Sequence, residues 1–84
     1  MTNQQADELT RAFRDRFNAQ VETEQVNDHG RYRFAVVSPL FHEMTQLQRQ
    51  DALWQLADAT LPREATLDIS LILAFAPDEL AATG

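Results

Sequence analysis

The sequence predicts an α+β domain in the order α-β-β-α-(α)-β, a three-stranded sheet with its helices packed on one face. Three observations lead there. Near the N-terminus Ala6, Leu9, Phe13 and Phe17 recur at spacings of three and four, the period of a helix. Thr45 and Gln48 form a T-x-x-Q capping box that opens a second helix between two strand-like runs. From Thr66 to Phe75, apolar residues alternate with others that are mostly small or polar, the period of a strand.

Each element has its own signals. Thr2 or Asn3 can cap the first helix, and Asp7 and Glu8 sit in early turns, where the helix dipole favours acids. Arg11, Arg14 and Arg16 lie mostly off the apolar stripe, among acids, and read as a solvated face. Gln20 to Val26 is a short half-exposed strand, and Asn27-Asp28-His29-Gly30 is a turn that makes a hairpin with the next strand. That strand runs from Arg31 to Ser38, with Tyr32, Phe34 and Val36 on one face and Arg33, Ala35 and Val37 on the other. Both faces turn apolar toward its end, as an inner strand requires, and Pro39 marks its exit. Phe41 anchors the loop that follows.

The helix from Thr45 is expected to turn Leu47, Leu53 or Trp54, Leu56 and Ala57 to the core, with Arg49, Gln50 and Asp51 near the opposite face. Pro62 stops it, and Asp58 to Leu61 form a last irregular turn or a brief extra helix. In the last strand Leu67, Ile69, Leu71, Leu73 and Phe75 form the apolar face, and Thr66, Asp68, Ser70, Ile72 and Ala74 the second. A helix between two strands signals a right-handed parallel crossover. Ala76 to Leu80 begin a final helical turn, with Pro77 where a helix tolerates it, and the tail Ala81 to Gly84 is expected to fray.

Composition bounds the function. The 84 residues suit one domain, spanning 1–84 with its core at about 4–80. No cysteine is present, so disulfides, a thiol nucleophile and thiolate metal ligands are excluded. The polar, acidic N-terminus and the lack of a long apolar run lead us to expect a soluble cytoplasmic protein with no membrane partner. Seven Arg, no Lys and 13 acids give a net charge of −6, which repels a phosphate backbone. With two histidines, two glycines and serines outside any nucleophile elbow, neither a catalytic constellation nor a G-x-x-G clamp can be assembled. An independent enzyme is not expected.

One stretch carries a family likeness. The run AVVSPLFHEMTQLQRQDAL resembles the BolA-like proteins, whose signature is a V-V-S strand end, a loop Phe, a Ser or Thr helix cap and a Q-R-H-R helix start. Val36, Val37, Ser38, Phe41, Thr45, Gln48 and Arg49 match it without a gap, and Ala76-Pro77-Asp78-Glu79-Leu80 is similar to the family's T-P-E-E-W type ending. The likeness covers about residues 9 to 80. It implies the BolA-like fold, related to type II KH domains, and a role linked to monothiol glutaredoxin, iron–sulfur and iron homeostasis, or stress response. It also implies a [2Fe-2S] cluster shared with that glutaredoxin. The family's ligands are a His near the start of the last strand and a His or Cys in the first hairpin. Here those places hold Asp68 and, in a shortened loop, His29; Gln50 and Asp51 stand where the family has His and Arg. Cluster iron favours thiolate and imidazole over carboxylate, so no cofactor is expected.

These readings combine into a divergent BolA-like domain acting as a small non-enzymatic adaptor, a monomer or weak homodimer, whose partner is a monothiol glutaredoxin or another protein. Arg49, Asp68 and His29 are expected to line the partner surface through ion pairs and hydrogen bonds, on the last strand's polar face and the start of the central helix. Their truncation is expected to leave folding nearly intact. Two alternatives belong to other classes. One is a nucleic-acid-binding transcriptional regulator with a KH-like fold, using a groove of Arg11, Arg14, Arg31 and Arg33. The other is a structural module that dimerises through the open sheet face.

Overall fold

In the computed structural model, which describes residues 1–27 and 29–81, helix α1 (Asn3–Phe17) opens the chain. Its start is a reciprocal capping box: Thr2 Oγ1 accepts from the Gln5 N–H at 3.1 Å, and Gln5 Oε1 accepts from the Thr2 N–H at 2.9 Å. Asn18, left-handed at φ 49°, ends it. The expected stripe of Ala6, Leu9, Phe13 and Phe17 is its buried face. Strands β1 (Gln20–Gln25) and β2 (Tyr32–Val37) form the hairpin, and a 3-10 turn covers Pro39–Glu43. Helix α2 (Gln46–Thr60), the short α3 (Arg63–Thr66), strand β3 (Ile69–Phe75) and α4 (Pro77–Ala81) complete the order. The expected hairpin turn includes Asp28, and the expected fraying tail includes residues 82–84; these lie outside the described residues.

The sheet order is β1-β2-β3, antiparallel and then parallel, so β2 is the inner strand. Helices α1 and α2 cover one face. There Phe13 meets Phe34 edge-on at 5.8 Å, and Phe17 meets Phe41 at 5.4 Å. Tyr32, Phe34 and Val36 point into this core, as their alternation requires. No helix among the described residues is long and apolar enough to cross a membrane.

Three expectations are corrected. First, the last strand begins at Ile69 rather than Thr66. Helix α2 runs through Asp58 to Thr60, and Pro62 separates it from α3, which takes up Thr66. Leu67 is consequently 65% exposed. Second, the faces of β3 are exchanged beyond Ser70. Tyr32 pairs with Ile69 but Arg33 pairs with Leu71, so β3 advances two residues for one on β2. Such a bulge flips every later side chain. Ile72 and Ala74 therefore enter the core, while Leu71, Leu73 and Phe75 turn to the open face. Third, the first turn of α2 departs from its expected phase. Leu53 and Ala57 are buried as expected, but Arg49 joins them in one row at spacing four, while Leu47 is 71% exposed and Trp54 half-buried.

Candidate functional site

The start of α2 closes the outer edge of the sheet. Strand β3 is an edge strand whose outward carbonyls need donors. Gln46 Nε2 donates to the Ala74 carbonyl at 3.1 Å, Arg49 Nη1 to the same oxygen at 3.2 Å, and Gln50 Nε2 to the Ile72 carbonyl at 2.9 Å. Gln50 Oε1 in turn accepts from the Trp54 indole N–H at 3.2 Å. Three polar side chains thus do for this edge what a fourth strand would do. The residue at 50 has a fold role that its sequence position alone did not announce.

Arg49 is the hub of that closure, only 3% exposed. Its Nε donates to the Met44 carbonyl at 3.0 Å, and its two terminal nitrogens hold the Glu79 carboxylate at 2.7 and 2.9 Å. The guanidinium carbon lies 5.7 Å from the Phe41 ring centre. Hydrogen bonding to Glu79 raises the Arg49 pKa. On the other side, the Arg49 guanidinium and the Ala76 N–H hold the Glu79 carboxyl down at about 2. This corrects the expected position of Arg49 on the helix's outer face: its side chain fastens α2, β3 and α4 together from inside. Beside it, His42 Nδ1 and Asp78 Oδ1 stand 3.3 Å apart, both exposed, between the 3-10 turn and α4.

His29 and Asp68 come together at the other end of the sheet. The Tyr32 N–H donates to the Asp68 carbonyl at 2.9 Å, which fixes β3 beside the hairpin turn. Gly30, at φ 78°, lets the turn reverse where a Cβ would stand 3.1 Å from the Met1 carbonyl oxygen. The Met1 amino group donates to the Gly30 carbonyl at 3.3 Å and is ion-paired with the Asp68 carboxylate. His29 is exposed in the turn. Arg49 lies at the opposite end of β3, beside Ala74, six residues along from Asp68 and so roughly 20 Å away. The three expected partner residues therefore do not form one patch.

Of the two places the family likeness points to, His29 offers an imidazole, which cluster iron favours, and Asp68 a hard carboxylate oxygen, which it does not.

The arginines of the nucleic-acid alternative are also dispersed. Arg11 and Arg14 share a shallow hollow on α1 with Asp7 and Thr10. Arg33 is on the open face across the sheet from α1, ion-paired with Glu24, and Arg31 precedes β2.

The sequence reading expects an open sheet face but misses the apolar character that the bulge gives it. On the open face three rows cross the strands: Glu24–Arg33–Leu71, Glu22–Ala35–Leu73 and Gln20–Val37–Phe75. One side of this face is polar and acidic, the other apolar, with Leu71 44% exposed. Adjoining hollows run along β2 over it. One, about 600 Å³, lies among Glu22, Glu24, Arg33, Ala35 and Leu73. Another, about 230 Å³, is lined by Glu22, Ala35, Val37, Phe75 and Leu80. The signal for this surface was in ISLILAF, where apolar residues on both faces leave the phase of the strand open.

No protein-family model matches the sequence, and no curated protein is found similar to it. Solved structures do match its fold. BolA1 from Arabidopsis thaliana superposes with a TM-score of 0.69 at 16% identity, over 94% of this chain and 98% of that one. The BolA domain of SufE1 from Arabidopsis thaliana gives 0.71 at 16% identity, over 94% and 99%. A bol-like protein from Babesia bovis gives 0.69 at 16% identity, over 93% and 91%. At this identity the likeness is one of fold.

Proposed function

We propose that this chain, which has the BolA fold, is a small non-enzymatic adaptor that binds a protein partner through its open sheet face and supplies no cluster ligand. One observation carries the reading: Leu71, Leu73 and Phe75 lie side by side on the sheet face opposite α1 and α2. Exposed contiguous apolar surface in a small domain marks a contact site, because leaving it in water costs about 25 cal/mol per Å². The fold also occurs as a named domain of SufE1, which supports a role as a module acting beside other protein. A monothiol glutaredoxin is the first partner to test, and iron or stress physiology is the setting that such a partner would give.

The test is sizing with light scattering on a mixture with a monothiol glutaredoxin, iron and sulfide, followed by visible circular dichroism. The expected result is a mixed complex that Leu73→Asp abolishes, with the cluster spectrum of the glutaredoxin left unchanged. If no complex forms, the glutaredoxin assignment is wrong. A new cluster spectrum that His29→Ala removes would contradict the cluster-free reading.

A further inference from the structure

The open face has two unlike walls, and their chemistry specifies what can lie between them. We infer that it takes a cationic amphipathic helix of a partner protein, its apolar side on Leu73 and Phe75 and its Lys or Arg side toward Glu22. This rests on the adaptor reading and names the chemistry of the partner.

The floor is narrow and small, made by Ala35 and Val37 of the inner strand. Five residues of β2 and three strands give a face about 16 Å long and about 14 Å wide from ordinary strand spacings. That is roughly 200 Å², well below the about 800 Å² per partner of a standard interface between whole proteins. A segment fits it better than a second globular chain. Among segments, a helix is the usual cover for a sheet face, and helices already cover the other side of this sheet. A helix of about 14 residues spans about 21 Å, enough to cross the whole face.

Charge selects the kind of helix. The Arg33 guanidinium is already held by Glu24, but the carboxylate of Glu22 has no partner among the described residues. Glu22 projects beside the hollow whose opposite wall is Phe75 and Leu80. A long basic side chain can lay its methylenes on Ala35 and Val37 and carry its head to Glu22. A second copy of this chain carries the same net charge of −6, which opposes its approach as a whole, and a symmetric pairing would bring a second Glu22 against the same face. Complementary charge across a small interface raises the encounter rate and excludes acidic competitors.

The experiment titrates the full chain with two labelled synthetic helices of about 14 residues, one patterned from leucine and lysine, the other from leucine and glutamate. Anisotropy gives the affinity and amide shifts give the face. We expect the lysine helix to bind with shifts at Ala35, Val37, Leu73 and Phe75, and the glutamate helix not to bind. Glu22→Lys should weaken binding about tenfold, whereas Asp58→Lys, the same charge change on the far side of the molecule, should weaken it less than about twofold. Leu73→Ser, on the apolar wall, should weaken it as well. Equal losses from Glu22→Lys and Asp58→Lys would reduce the effect to the net charge and overturn the proposal. Concentration-dependent dimerisation with shifts on this face would overturn it in favour of a second copy. If a glutaredoxin binds this face while the lysine helix does not, the partner's chemistry is wrong and the adaptor reading stands.

Discussion

Arg49 shows how a residue that reads as a surface contact can instead be part of the interior. Its guanidinium satisfies two backbone carbonyls and one carboxylate, and its removal leaves those acceptors facing a cavity. Arg49→Ala should therefore lower the unfolding free energy by about 2 to 4 kcal/mol in urea denaturation, with Arg49→Lys intermediate because lysine cannot hold Glu79 through two nitrogens. An unchanged midpoint would place Arg49 at the surface. The pH dependence follows from Glu79. Its folded pKa, about 2, lies below its usual 4.5, so its contribution is fully present above 4.5 and is lost as the pH falls toward 2. Glu79→Gln should be less stable than the parent at pH 7, and the difference should shrink across that acid window. A difference independent of pH would show that the ion pair contributes nothing.

At the scale of elements, the fold was legible where one rule acted alone. The α1 stripe, the Thr45–Gln48 capping box and the β2 alternation each depend on local spacing, and each stands where the residues placed it. What escaped the reading depended on two elements at once. The phase of α2 is set by the need of β3's edge carbonyls for donors, which turns Arg49 inward and Leu47 outward. The phase of β3 is set by pairing with β2 through a bulge, and a strand apolar on both faces gives no local sign of it. A matched pair of variants tests the helix phase. Leu53→Ala, at a fully buried position, should cost about 2 to 5 kcal/mol in thermal or chemical unfolding, and Leu47→Ala less than about 0.5 kcal/mol. The reverse order would place Leu47 in the core and turn Leu53 out of it. The candidate site suffered most: of Arg49, Asp68 and His29, the last two share one end of the sheet and the first is internal, while the apolar rows between were assigned to the core.

The whole molecule is a sheet protected unequally. Two helices cover one face, three side chains of α2 close the β3 edge, and the second face is left with apolar residues beside acids. Its charge of −6 and its scattered arginines argue against a phosphate-binding surface. Filter binding at roughly 50 mM salt, where electrostatic affinity is greatest, should retain neither DNA nor RNA; retention there would revive the nucleic-acid alternative. On the function proposed, a partner sits on the open sheet face. Amide spectra of the isotope-labelled chain, recorded as unlabelled monothiol glutaredoxin is added, test it most directly. Shifts or broadening confined to Ala35, Val37, Leu71, Leu73 and Phe75 and their neighbours on that face are the expected result. Changes centred on the helical side, on α1 and α2, would contradict it.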